Sequence, residues 1–297
     1  LKIKGYDFTL GADPEVFVVE KKTGKFICPH NLIPGTKVNP VPLGTSGNRV
    51  QLDGFAAEFN IPPCETQKEF SSQIKQALTD LKKLVGKNYD IVATPVAHFD
   101  KKVFDTAPKE CLILGCDPDY NAYTAKKDRQ GKILQPVIPE ENPRPVAEGL
   151  NFRTGGGHVH VGWADELVAD VMHPEHLMAC VMLTRAMDVC LGVPAILRDE
   201  AVKRRLLYGK AGAFRPKPYG MEYRSMSNWW VANPDGPEWI WRGTITAIQE
   251  LWDNKYELME QFKVARKLID TNENLNKVIN VIEKYKPITH VLETVDV

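Results

Sequence analysis

Residues 153–163 read RTGGGHVHVGW. His158, Val159, His160 and Val161 alternate polar and apolar, the period of a half-buried strand with both imidazoles on one side. The three glycines before them let backbone or ligand approach closely. A second segment of this kind lies at residues 219–225, YGMEYRS, where Glu222 and Arg224 share one face of a predicted strand, Gly220–Ser225. Working outward, strands and helices do not alternate regularly, and no Gly-rich turn follows a strand as in a dinucleotide-binding fold. The pattern therefore predicts α+β with a mainly antiparallel sheet.

On the N-terminal side, Val16–Glu20 and Phe26–Cys28 flank Lys22-Thr23-Gly24, a hairpin signal. A helix is predicted after Pro63. Thr66 and Glu69 form a capping box, Phe70, Ile74, Ala77, Leu78, Leu81, Leu84 and Val85 recur at helical spacing, and Gly86 is a stop. Tyr89–Ala97 and Cys111–Leu114 read as strands, and the Pro-rich stretch 136–145 as a surface loop. On the C-terminal side, Pro174 opens a helix running through Leu191, ended by Gly192 and Pro194. Further helices are predicted near Asp199–Tyr208, Pro237–Leu268 and Glu273–Tyr285. The expectation is one catalytic domain over residues 1–297, helical from about residue 236. The helices after Trp252 pack on the domain or build a homo-oligomer.

The chain has 297 residues, 38 Lys+Arg against 38 Asp+Glu, and 43% hydrophobic residues, which excludes disorder and a strongly basic nucleic-acid binder. No apolar run reads as a membrane span, and LKIKGYDFTL lacks the apolar core of a signal peptide. Six scattered cysteines without a C-x-x-C pair read as free thiols of a reducing cytoplasm, with Cys180 and Cys190 as small core residues of one helix.

Asp13 and Glu15, in GADPEVF, are two residues apart, so an extended backbone places both on one face. Such carboxylates repel unless a cation such as Mg²⁺ lies between them; a plain Asp-Pro turn with a solvated glutamate is the alternative. In LDGFAAEFN, Asp53 and Glu58 stand in an apolar run, where a buried carboxylate needs a partner or a metal. An outward-facing Glu58 is the alternative. His158 and His160 suit a metal when neutral and a phosphate when protonated, or serve as structural histidines. A zinc hydrolase would need a third, carboxylate ligand, and H-E-x-x-H is absent. In RRLLYGKAGAFRPKPYGMEYRSMSNWW, Glu222 suits a metal, while Arg204, Arg205, Arg215 and Arg224 suit phosphate oxygens. The alternative is a solvated helix face for Arg204 and Arg205 and a surface pair for Glu222 and Arg224. Lys210 follows Gly209 without a P-loop pattern.

The segments GADPEVF, LDGFAAEFN, LGCDPDYNAY, RTGGGHVHVG and RRLLYGKAGAFRPKPYGMEYRS, from Gly11 to Ser225, together resemble the carboxylate–amine ligases of the glutamine synthetase and glutamate–cysteine ligase superfamily. They are most similar to its phage-type amidoligases. The resemblance implies a curved antiparallel sheet forming a funnel-like active site, with helices on its outer face. It implies ATP, two or three Mg²⁺ or Mn²⁺ ions, and an amide bond made from a carboxylate and an amine through an acyl phosphate. Asp13, Glu15, Glu58, His158 and Glu222 would be the metal ligands, with Asp53 a further candidate. His160 and Arg224 would lie at the nucleotide phosphates, and Arg224, Arg215 and Arg205 would stabilise the transferring phosphoryl group. Asp117 and Asp119 would position the amine, bind metal, or form a solvated turn. The implied setting is the cytoplasm, that of the host if phage-encoded, with no membrane or nucleic-acid partner. Competing readings are a guanidino kinase, a zinc metallohydrolase, and a non-catalytic module whose metal supports the fold.

Overall fold

The computed structural model describes residues 1–114, 119–146, 149–163, 167–199 and 202–271. The chain opens with β1 (Lys2–Ile3), β2 (Tyr6–Asp7), β3 (Thr9–Ala12), β4 (Glu15–Glu20), β5 (Lys25–Ile27), β6 (Val41–Pro42), β7 (Arg49–Asp53) and β8 (Ala56–Asn60). Helix α1 (Gln67–Val85) leads into β9 (Tyr89–Val92), β10 (Val96–His98), α2 (Lys101–Thr106) and α3 (Lys109–Leu112). Next come β11 (Tyr120–Asn121), β12 (Glu140–Glu141), β13 (Phe152–Thr154) and β14 (Val159–Gly162). Helix α4 (Pro174–Met187) runs through a π-turn (Asp188–Gly192) into α5 (Val193–Ala195), followed by α6 (Val202–Leu207). The last elements are β15 (Ala213–Lys217), β16 (Gly220–Tyr223), α7 (Trp229–Ala232), α8 (Gly236–Asp253) and α9 (Lys255–Thr271).

Two antiparallel ladders carry the site. One runs β12–β11–β15–β16–β14–β3; the other runs β5–β4–β8–β7–β6, with β9 also on β4. They join where β3 turns into β4 at Asp13-Pro14. There Leu10 pairs with Cys64, and the Ile61 and Phe59 N–H groups donate to the carbonyls of Ala12 and Pro14, both at 3.1 Å. The result is one curled antiparallel half-barrel. Helices α1, α4, α8 and α9 pack together, and α4 lies on β15 and β16. The core between them draws residues from Ile3 to Ile269. A smaller cluster gathers Phe17, Phe55, Phe99 and Cys111 with Phe26 and Phe104.

Helix α1 starts on the predicted capping box, Thr66 with Glu69, buries Phe70, Ile74, Ala77, Leu81 and Val85, and ends at Gly86 with φ +83°. Four local expectations need correction. Pro95 cannot donate to a ladder, and the run 89–97 splits into β9 on β4 and β10 on β13. Cys111 and Leu112 are helical, because Pro108 starts a turn that the Cys111 N–H closes at 3.0 Å. Gly192 and Pro194 do not end α4: the Val193 N–H bonds the Asp188 carbonyl across the π-turn, and the chain stays helical to Ala195. Gly192 is there for packing, since a Cβ would lie 2.6 Å from Ile269 and 2.9 Å from the Tyr223 hydroxyl. The run 237–268 breaks at Asn254 into α8 and α9.

The loop 136–145 also holds β12, paired with β11. The segment Pro174–Ala195 is long and apolar enough to cross a membrane, contrary to the expectation of no such run; 72% of its apolar window is buried inside the fold, as befits a core helix. Cys28, Cys64, Cys111, Cys180 and Cys190 are free thiols, the last two buried. Asp117, Cys116 and the helix expected at 273–285 lie outside the described residues.

Candidate active site

Strand register builds the first group of functional side chains. Glu222 on β16 stands opposite His160 on β14 and opposite Arg215 on β15, and His160 stands opposite Gly11 on β3. Period-two alternation adds Lys217 beside Arg215 on the same face. Glu222 is fully buried and answers three cations: Arg215 at 3.1 Å, Lys217 at 2.9 Å, and Arg224 in a close ion pair. Burial opposes ionisation of Glu222, but Arg224, Lys217 and Arg215 outweigh it and hold its pKa well below the usual carboxylate range. Arg224 also reaches Asp119 at 3.3 Å, and Asn142 Nδ2 donates to that carboxylate at 3.1 Å. Asp119 is thus part of a buried network and not a solvated turn.

Pro14 turns the chain between β3 and β4, so Asp13 and Glu15 part company. Asp13 joins the first group, with Oδ1 at 3.0 Å from His160 Nε2 and 3.3 Å from His158 Nδ1. Burial raises its pKa; the charge of His160 and the contacts with both imidazoles outweigh this and hold it low. Burial and Arg224 lower the pKa of His158, which favours its neutral form. The His160 ring contacts the Tyr219 hydroxyl. The triglycine segment packs on this corner. The Gly156 N–H donates to Glu15 Oε2 at 2.7 Å, and a Cβ on Gly156 would lie 2.4 Å from His158 Nε2. Asn228 Nδ2 donates to the Glu15 carbonyl at 2.7 Å.

The second group is acidic. Glu15 on β4 stands directly opposite Glu58 on β8, and Asp53 ends β7 alongside. Their ligand atoms lie within 4.8 Å of one another. Glu58 is buried, and burial together with Asp13, Asp53 and Glu15 pushes its pKa well above normal. The cation beside them is Lys37, whose Nζ lies 2.9 Å from Asp53. Burial opposes the charge on Lys37, but Asp53 outweighs it and raises its pKa.

Both groups open on one cavity of about 320 Å³. Its lining includes Asp13, Glu15, Asp53, Glu58, His158, His160, Arg215, Lys217 and Arg224; Glu222 sits buried behind the cations. From α6 the lining takes Arg204, not Arg205. Arg205 points toward Asp199, at 3.8 Å. Arg204 is fully buried and donates to the carbonyls of Ser225 and Arg224 at 2.9 and 3.2 Å. Neither arginine lies on a solvated helix face.

Asp13, His160 and Glu222 also bring ligand atoms within 4.8 Å of one another. The three-donor group therefore includes His160, whereas the sequence reading gave the ligand role to His158. A hard divalent ion fits the Glu15–Asp53–Glu58 group well: three carboxylates face each other beside the Lys37 ammonium. It fits Asp13–His160–Glu222 less well, because Glu222 already answers three cations. Sequence reasoning gave no role to Lys37, Arg153, Lys217 or Tyr219. The alternation in Arg215-Pro216-Lys217 carried a usable signal for Lys217; Lys37 comes from a loop with none.

The cluster-bearing second ladder and the arginine-bearing first ladder suit opposite charges. Residues 136–269 match the family model described as Phage phiEco32-like COOH.NH2 ligase-type 2. The match supports a carboxylate–amine ligase family. It takes in Arg153, His158, His160, Arg204, Arg215, Glu222 and Arg224, and leaves Asp13, Glu15, Asp53 and Glu58 outside. No curated protein matches the chain.

Proposed function

We propose that this protein is an ATP- and divalent-metal-dependent ligase that joins a carboxylate to an amine through an acyl phosphate. The observation that carries the reading is one cavity in which the oxygen-rich group Glu15, Asp53 and Glu58 faces the cationic set Arg215, Lys217 and Arg224. A carboxylate is a poor electrophile because oxide is a poor leaving group. Transfer of the γ-phosphoryl group of ATP to a carboxylate oxygen releases ADP and supplies a better one. The amine nitrogen then attacks the acyl carbon, phosphate departs, and the nitrogen gives up a proton, leaving the amide.

In this reading Glu15, Asp53 and Glu58 hold one Mg²⁺ or Mn²⁺ ion, and Asp13, His160 and Glu222 hold a second. The ions, when bound, neutralise phosphoryl charge. The chain's own cations do the rest. Arg215, Lys217 and Arg224 are paired with Glu222, and an incoming triphosphate offers them stronger anionic partners. Their charge then stabilises the phosphoryl oxygens during transfer. Arg204, with its fixed bonds to two carbonyls, adds positive potential at the lining in the place expected of Arg205. His158, held neutral, orients Asp13. A glutamine synthetase-like origin of the curled sheet accords with this arrangement.

Hydroxylamine tests the reading, since it captures acyl phosphates as hydroxamates. Incubation with ATP, Mg²⁺, hydroxylamine and a panel of carboxylates should release ADP and form a hydroxamate with at least one acid. ADP formed with a guanidine substrate and no hydroxamate would mean a guanidino kinase, and a panel that never stimulates ATP turnover would end the ligase reading.

A further inference from the structure

Arg153 lies on the cavity lining beside Thr154 and Phe55, only 6% exposed. Its guanidinium stacks 5.0 Å over the Phe55 ring and 4.7 Å over the Phe104 ring. It donates to two neutral carbonyls, Phe152 at 2.9 Å and Leu112 at 3.4 Å, and its Nε has no partner. Among the described residues no carboxylate comes within ion-pair reach of it. Of the other cations of the cavity wall, Arg215, Lys217 and Arg224 have Glu222 and Lys37 has Asp53. Arg204 is also fully buried and donates to two carbonyls, but among the described residues it has no aromatic rings over it, and its donors are turned to Ser225 and Arg224. A buried guanidinium without a counter-anion is costly. Packing alone does not account for it, since an uncharged Met would fill the aromatic cluster without that cost. The two rings orient the guanidinium plane and weaken its competition from water.

We propose that Arg153 is a binding residue whose guanidinium receives an oxyanion, carboxylate or phosphate, of the molecule held in the cavity. The proposal rests on the ligase reading for the occupants of that cavity. If the oxyanion belongs to the carboxylate substrate, that substrate is an acid with a second anionic group, one held at Arg153 and one presented for activation. If it belongs to the nucleotide, Arg153 is a phosphate contact.

Thermal shifts of wild type, Arg153→Lys and Arg153→Met at constant ionic strength test this. The probes are glutarate against butyrate, inorganic phosphate, and ATP with Mg²⁺, each compared with chloride. Wild type should be stabilised by glutarate beyond butyrate, or by the phosphate-bearing probes. Arg153→Met should bind that same probe at least tenfold more weakly, with Arg153→Lys between the two. A loss confined to glutarate assigns the carboxylate source, and a loss confined to phosphate or ATP assigns the phosphoryl source. A Met variant that is merely less stable, with every ligand increment intact, overturns the proposal. Should neither variant fold, wild type decides. Protection of Arg153 from phenylglyoxal by glutarate, phosphate or ATP·Mg²⁺, mapped by mass spectrometry, upholds the proposal, and no protection overturns it. An inert ATP·Mg²⁺ arm with an active glutarate arm would refute the ligase reading and leave this one standing; the reverse holds if ATP·Mg²⁺ acts and the Arg153 variants bind like wild type.

Discussion

Replacing Glu58 with Gln separates like-charge repulsion from metal binding in a single side chain. The ligand atoms of Glu15, Asp53 and Glu58 lie within 4.8 Å of one another, and at an effective dielectric of about 20 each like-charged pair repels by about 3.5 kcal/mol. Lys37, fixed 2.9 Å from Asp53, offsets roughly one such interaction. Two such pairs less one offset leave a net strain of about 3.5 kcal/mol relieved by Glu58→Gln where Glu58 is ionised, which in a chain of this size raises the metal-free Tm by about 6 °C. The sign depends on pH. The folded pKa of Glu58 is raised above 4.5, so its stabilising contribution is complete below the unfolded value and is lost as pH climbs through the folded one. The variant should therefore match wild type near pH 4 and exceed it increasingly toward pH 8. With Mg²⁺ or Mn²⁺ the order reverses in the increment. An ion at 100 times its Kd adds about 2.7 kcal/mol, and a tenfold weaker site adds about 1.4 kcal/mol. Scanning fluorimetry across pH 4–8, with metal and with chelator, reads both effects. A variant less stable than wild type at pH 8 without metal, or equal metal increments in the two proteins, would refute the reasoning.

Glu222→Gln leaves Arg215, Lys217 and Arg224 around a neutral group, at a cost of about 3–5 kcal/mol; thermal denaturation should show the loss, and a Tm equal to wild type would contradict the network. Gly156→Ala forces His158 to turn away from a Cβ 2.4 Å from its Nε2, so hydroxamate formation should fall at least tenfold with far-UV circular dichroism unchanged; wild-type rates would argue against a role for that imidazole. Asp188, buried behind β16, accepts from the Tyr223 hydroxyl at 2.7 Å, Ser225 Oγ at 3.3 Å and the Gly212 N–H at 2.7 Å. Burial pushes its pKa up to about 7, so its contribution is complete below pH 3.8 and lost by about pH 7. That loss is on the order of 4 kcal/mol, and the stability of Asp188→Asn relative to wild type should rise over the same window; parallel pH–stability curves would count against it.

Most of the site residues were legible as residue types at short spacing. His158 and His160 alternate with valines, Glu222 and Arg224 alternate with Met221, Tyr223 and Ser225, and Glu58 stands in an apolar run. A strand read at period two places such side chains on one face without knowledge of its partners. Helix α1 was legible for the same reason, since the Thr66–Glu69 cap and the Phe70–Val85 stripe are contacts between close neighbours. The errors came where distant packing overrode a local signal. Gly192 and Pro194 look like a helix stop, but the π-turn and the contacts with Ile269 and Tyr223 carry the helix through. Cys111–Leu112 look like a strand, but Pro108 and the aromatic cluster wind them into a turn of helix.

By itself the sequence determined the α+β character, the strands that bear the acids and imidazoles, and the first capped helix, because each depends on periodicity within a few residues. Only the tertiary structure decided that Asp13 and Glu15 serve different groups, that Arg204 and not Arg205 reaches the cavity, and that Arg153 is buried beside it with no carboxylate partner among the described residues. Those outcomes depend on which strand lies opposite which, on a proline corner between two ladders, and on the rotation of a short helix. Charge balance inside a cavity is a sum over residues far apart in the chain, and it exists only once the sheet has curled to bring them together.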